Sequence, residues 1–150
     1  MYGTIVRRKV EQVFSEINRG NWHAMVDGLG DPFHYRFHGD HALGGVRTSR
    51  ATIEAWWERV TRLLPGAKFE VREVLVTGWP WRTRVAARLR VSGDLPTGEV
   101  YDNTMFQFMT IRWGRVTEIE TLENLQILER ALASVAAAGQ TEAIAAPIVD

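Results

Sequence analysis

His34, His38, Asp40 and His41 form the densest run of groups in this chain that could move a proton. Histidine titrates nearest to neutrality, and a carboxylate beside it can act as a base. Gly39 separates His38 from Asp40, and a glycine there lets backbone approach a ligand closely. His38 or Asp40 could therefore be a base or polar anchor at the mouth of a pocket, with His41 as a neighbouring contact. Asp40 could equally close its own turn by bonding the loop backbone. A metal site is not expected: strand spacing separates His34 and His38 by roughly 13 Å, and no third ligand presents itself.

A second group lies far along the chain. Tyr101 and Asn103 are two residues apart and share a strand face with Met105 and Gln107. That face could hydrogen-bond a ligand oxygen, with Phe106 and Phe108 on the other side. Alternatively it is the polar outer face and the phenylalanines are core. Glu123 ends the last apolar-alternating segment and precedes Asn124. There a carboxylate could do acid/base work, or could simply sit at a helix N-terminus that stabilises it.

These residues need elements to position them. Ile5, Val6, Val10, Val13, Phe14 and Ile17 recur at helical spacing, and Asn18-Arg19-Gly20-Asn21 ends that helix. A short helix is expected over residues 22–29, closed by Gly30-Asp31-Pro32. Residues 33–38 alternate as a strand, a glycine-rich stretch follows, and Ser49 caps a third helix carrying Ile53, Trp56, Trp57, Val60, Leu63 and Leu64. Strands are expected at 68–77, 82–92, 99–112 and 115–122, with a bulge between Val71 and Val74, where the alternation changes phase. A closing helix covers 125–138. The pattern is α+β: three N-terminal helices on a curved, antiparallel or mixed sheet, enclosing a pocket. Residues 1–138 read as one domain, and the alanine-rich residues 139–150 as a loose tail.

Composition narrows the function classes. Eighteen basic and eighteen acidic residues cancel, so no global field draws the chain to nucleic acid or to a membrane, and neither partner is expected. The chain has no cysteine, which removes disulfides and thiolate chemistry. The first residues lack the apolar core of a signal peptide, and a cytoplasmic location is expected. Six tryptophans are available for core, interface or pocket; Trp56 and Trp81 are the candidates for an apolar pocket wall.

Two segments carry a resemblance. Phe37-His38-Gly39-Asp40-His41-Ala42-Leu43-Gly44-Gly45-Val46-Arg47, followed by Ala51-Thr52-Ile53-Glu54-Ala55-Trp56, is similar to the Gly-Asp-x-x-Leu-x-Gly turn and helix start of SnoaL-like proteins. Tyr101-Asp102-Asn103 and the run from Ile111 to Glu123 resemble the same branch's final hairpin. The chain thus looks like a member of the nuclear-transport-factor-2-like superfamily, with ketosteroid isomerases, limonene epoxide hydrolases and polyketide cyclases.

The resemblance implies a cone of sheet and helices around an apolar pocket, no cofactor, and a homodimer through the sheet's outer face. It places Asp40, or with one gap His38, at the position of an isomerase base. Glu123 matches the acid that ends the last strand, and Tyr101 with Asn103 would hold a carbonyl oxygen. Arg88 matches an arginine that epoxide hydrolases set between two aspartates, but Arg90 stands where the second aspartate belongs, so epoxide opening is disfavoured. The expected ligand is a small apolar carbonyl compound, isomerised or cyclised by acid/base chemistry. The alternative is a non-catalytic binding or dimeric interaction module.

Overall fold

A computed structural model describes residues 1–150. In chain order the elements are α1 (Tyr2–Asn18), α2 (His23–Asp27), β1 (Leu29–Phe37), β2 (Gly45–Arg47), α3 (Arg50–Leu63), β3 (Lys68–Trp79), β4 (Arg82–Asp94), β5 (Val100–Arg112), β6 (Arg115–Glu123) and α4 (Leu125–Ala137), then a 3-10 turn at Thr141–Ile144. The strands form one curled, open sheet in the order β2-β1-β6-β5-β4-β3. β1 runs parallel to β6, and every other pair is antiparallel. This is the cone-shaped α+β architecture that the sequence implies.

The helices form where their apolar spacing predicts. α1 buries Val6, Val10, Phe14 and Ile17, which lie along one stripe of the helix. In α3 the side chain of Ser49 accepts the Thr52 backbone N–H, and Ile53, Trp56, Trp57, Val60 and Leu63 are buried. Asn124 caps α4 in the same way through the Gln126 N–H. The expected bulge in β3 is present as a register shift between Val71 and Glu73. It keeps Val74 facing the core after the alternation slips.

Three local expectations change. The second helix stops at Asp27, and Gly30-Asp31-Pro32 belong to β1 rather than to a helix stop. Pairing of β1 with β6 is interrupted between Leu29 and His34, so the proline, which has no N–H to donate, sits where the ladder does not ask for one. Part of the glycine-rich stretch forms the edge strand β2. Its turn depends on close packing: a Cβ on Gly44 would lie 2.0 Å from the Gly39 carbonyl oxygen, so only glycine lets these two backbones meet.

The third change is the tail. Residues 139–150 are docked, not loose. The Arg47 guanidinium donates to the carbonyl of Ile148, and Arg59 donates to that of Ala146. Glu142 pairs with Arg59 and Arg62. Asp150 accepts from Thr48, Ser49 and Thr52, and Ala143 is buried. Buried Arg47 and Arg59 need acceptors that α3 and β2 alone do not provide, and tail carbonyls supply them.

Candidate active site

α1 and α3 stand over the concave face of the sheet and leave a cavity of about 530 Å³. Its walls are apolar: Val6, Val10 and Phe14 from α1, Trp56, Trp57 and Val60 from α3, and Val91, Met105, Met109 and Ile119 from the sheet. A cavity of this size, mostly apolar with a few polar groups, fits a small molecule. Trp56 is held by its indole N–H, which donates to the Leu43 carbonyl at 2.8 Å, and its ring packs on Tyr35 and Phe37.

Glu123 is the acid in this cavity, and it is 6 % exposed. β6 ends on it, which directs its side chain inward with Ile119 and Thr121. Tyr101 donates its hydroxyl to Glu123 Oε1 at 2.7 Å. Asn103 Nδ2 in turn donates to the Tyr101 oxygen at 2.9 Å and to the Asn124 carbonyl. The three side chains therefore form a one-way chain of donors ending on the carboxyl group. Burial raises the Glu123 pKa to about 7, against the opposing pull of the Tyr101 hydroxyl. The Tyr101 phenol is itself held up, first by burial and then by the Glu123 charge.

Tyr35, Trp57 and Gln107 are further cavity residues that carry donors. Tyr35 is 2 % exposed, and burial lifts its phenol to about 12, although Arg47 and Thr121 oppose the shift. It stays protonated at neutral pH. Arg47 lies 5.4 Å from the centre of its ring and 5.2 Å from that of Trp56, a buried cation held between two π faces. Trp57 lines the cavity, and its buried indole N–H has no partner within the protein. Gln107 lines it too, and donates from Nε2 to Thr121.

The expected site residues are not all brought together. Glu123 and Trp56 line the cavity. Tyr101 and Asn103 are on the inward strand face, and Phe106 and Phe108 are exposed on the outer one. The tyrosine and asparagine lie behind Glu123, however, and act on it without lining the cavity.

His38 lies outside the lining and shares a 2.6 Å hydrogen bond with Glu120 on the solvent side. Phe37 turns inward, so its neighbour must turn outward. Asp40 is exposed in the turn. His41 folds its ring back onto the His38 carbonyl, and burial lowers its pKa. Trp81 is exposed and stacks on Trp79 beyond the cavity. Arg88 lies on the outer sheet face with Glu73, since the inward positions of β4 are Val85, Ala87, Leu89 and Val91.

Tyr35 and Trp57 were not singled out for chemistry in the sequence. Tyr35 had a signal: it is the middle aromatic of the alternating set Phe33, Tyr35, Phe37. Nothing in the sequence marks the unpaired N–H of Trp57. No cluster of histidine, aspartate and glutamate is arranged to hold a metal ion, and no helix is long and apolar enough to cross a membrane.

A curled sheet of six strands with helices packed on it is the cone fold of the nuclear-transport-factor-2-like class. The model of the SnoaL-like domain matches residues 10–119, and the chain belongs to that family. PrhC from Penicillium brasilianum is similar over 95 % of this chain and 94 % of its own, with a TM-score of 0.77 and 15 % identity. A candidate SnoaL-like polyketide cyclase from Jannaschia sp. gives a TM-score of 0.70 at 18 % identity, covering 86 % of this chain and 92 % of that one. IdmH from Streptomyces antibioticus, described as a candidate polyketide cyclase, gives 0.69 at 18 % identity, covering 85 % and 97 %. At such identities the likeness is one of fold. A search of curated proteins finds no match to the sequence.

Proposed function

We propose that this protein is a cofactor-independent acid/base catalyst acting on a small, largely apolar carbonyl compound, as an isomerase or cyclase. The observation that carries the reading is Glu123: a buried carboxyl at an apolar cavity, held by Tyr101 and balanced near neutrality. A group whose pKa matches the working pH can both take and return a proton.

With His38 and Asp40 outside the cavity, one carboxyl serves both steps. Ionised Glu123 removes a proton from the carbon beside the carbonyl, and the electron pair of that C–H bond moves onto the oxygen. The Tyr35 phenol and the Trp57 indole N–H are the donors available to the oxygen as charge develops on it. Return of the proton to a different carbon gives isomerisation. Attack of the enolate carbon on a second carbonyl of the same ligand gives aldol ring closure, with the proton delivered to the new alkoxide.

The experiment is a thermal-shift screen with steroid, polyketide and terpenoid carbonyl compounds, followed by solvent-deuterium exchange on each ligand found. Glu123→Gln is expected to bind the ligand and lose exchange at the carbon beside its carbonyl. Undiminished exchange in that variant sinks the mechanism.

A second reading, a dimeric ligand-binding module, draws on the outer sheet face. Phe106 and Phe108 are 48 % and 55 % exposed, with Leu122 beside them, an apolar patch suited to a second copy. A homodimer is compatible with either reading. Binding without exchange in the wild type would favour the module.

A further inference from the structure

Charge on this neutral chain is segregated, and one end of the cone is basic and aromatic. The β3–β4 hairpin carries Trp79 and Trp81, and the β5–β6 hairpin carries Trp113; they are 62 %, 55 % and 73 % exposed. Their rings form one surface, with centroids 6.0 Å apart for Trp79–Trp81 and 6.4 Å for Trp81–Trp113. The Trp113 backbone N–H donates to the Pro80 carbonyl at 2.7 Å, which ties the two tips together.

The same end is where the cavity opens. Ile5, Lys9, Pro80, Trp113 and Gly114 belong to its lining, and Ile5 is half exposed. A hydrogen bond from Tyr2 to Thr83 holds the start of α1 beside the hairpins.

Acids are missing from α1's first turns and from both hairpins here, while Asp27 and Asp31 lie on the α2–β1 segment beside Arg115. Residues 1–10, 78–93 and 103–117 contain no acid. Of their cations, Arg88 and Arg90 are paired further along the sheet. Arg7, Arg8, Lys9, Arg82, Arg84, Arg112 and Arg115 make no ion pair. Arg112 and Arg115 donate instead to backbone carbonyls, of Trp81 and Asp27.

We propose that this end of the cone docks on an anionic lipid surface, so that the cavity mouth faces the bilayer and an apolar ligand enters without crossing water. Indole rings settle at the boundary between headgroups and acyl chains, since each has a large apolar body and one N–H. Unpaired arginine and lysine beside them meet lipid phosphates. A protein partner of matching acidity would explain the cations. The lipid reading also explains why a continuous surface of apolar rings begins at the cavity lining with Trp113 and runs outward through Trp81 to Trp79.

The docking is peripheral and needs no spanning helix. It stands on surface geometry alone, and its test uses neither ligand nor turnover. Its failure would therefore leave the Glu123 mechanism where the deuterium experiment puts it.

The full chain is to be sedimented with vesicles of phosphatidylcholine alone, and with vesicles of equal parts phosphatidylcholine and phosphatidylglycerol, at low and high salt. Binding to the anionic vesicles only, lost at high salt and accompanied by a blue shift in tryptophan emission, is expected. Trp81→Ser/Trp113→Ser should weaken that binding on the order of tenfold or more. Arg82→Gln/Arg112→Gln, which leaves the indoles in place, should weaken it by roughly fivefold per charge removed.

Wild-type protein that stays in solution with both vesicle types at low salt overturns the proposal. So does binding that ignores lipid charge and both sets of substitutions. Self-association of the wild type that disappears in Trp81→Ser/Trp113→Ser also overturns it, by showing that a second copy covers the rings.

Discussion

Tyr101 and Glu123 lie on neighbouring strands, and the phenol of one donates to the buried carboxyl of the other at 2.7 Å. Glu123 pairs across the ladder with Met105, not with Tyr101, so the tyrosine reaches along the sheet to make the bond. Asn103, between them on the same face, fixes the phenol from behind by donating to its oxygen. Burial favours the neutral acid and the Tyr101 hydroxyl favours the carboxylate. Their opposition sets the working range of Glu123.

Removing the Tyr101 hydroxyl leaves burial unopposed. Tyr101→Phe should raise the Glu123 pKa further, by roughly one to two units if a hydrogen bond to a charged group is worth about 1.5–3 kcal/mol. Carbon-detected titration of the carboxyl group measures this directly, and the pH–rate profile should move the same way. An unchanged pKa would mean that the bond does not act on the ionised form.

Stability should depend on pH through the same group. Between the ordinary glutamate value of 4.5 and about 7 the folded state keeps a proton that the unfolded state has released. Raising the pH through that window therefore costs stability, by roughly 3 kcal/mol at most. Glu123→Gln removes the titration while keeping an acceptor for Tyr101. Relative to wild type, its melting temperature should be higher at pH above 7 than at pH below 4.5. Parallel curves for the two proteins would contradict this.

The docked tail predicts a loss on truncation. Removing residues 140–150 takes the Ile148 carbonyl from Arg47, which is 0 % exposed, and the Ala146 carbonyl from Arg59. Leaving buried guanidinium groups short of acceptors should cost about 3–5 kcal/mol in urea denaturation. A loose tail would cost nothing.

His38 and Asp40 should be replaceable. His38 and Glu120 have 37 % and 57 % exposed side chains, and surface pairs of this kind contribute about 0–1 kcal/mol. His38→Ala and Asp40→Ala are expected to keep ligand affinity and deuterium exchange within a factor of about two. A large loss in either would return the base to the turn and weaken the role given to Glu123.

On the outer face, Phe106→Ser/Phe108→Ser should convert the proposed dimer to a monomer in analytical ultracentrifugation while leaving the cavity intact. If the wild type is already monomeric, that face has another use.

The sequence by itself determined the elements and most of their faces. The 3.6-residue repeat of Val6, Val10 and Phe14, the Ser49 cap, the β3 bulge and the common face of Tyr101, Asn103, Met105 and Gln107 are local patterns, although which way that β5 face points was settled only by packing. Each depends only on which side of one helix or strand a residue occupies. Membership of the SnoaL-like family was legible for the same reason, because its motifs are contiguous turns. The Gly39–Gly44 contact shows why the turn in this chain needs glycine at 44.

What only the tertiary structure decided is which faces meet. Parallel pairing of β1 with β6 places His38 on the solvent side with Glu120, while Tyr35 turns toward the cavity. The β5–β6 register sets Tyr101 beyond the end of β6, where it bonds Glu123 without lining the cavity. The tail is held down because Arg47 and Arg59, buried by distant elements, donate to its carbonyls as well as to those of Ala42, Gly44 and Gly45. Burial and hydrogen bonding across such sequence distances follow from how the elements pack, and that same packing raises the pKa of Glu123 and turns a strand-ending glutamate into an acid poised near neutrality.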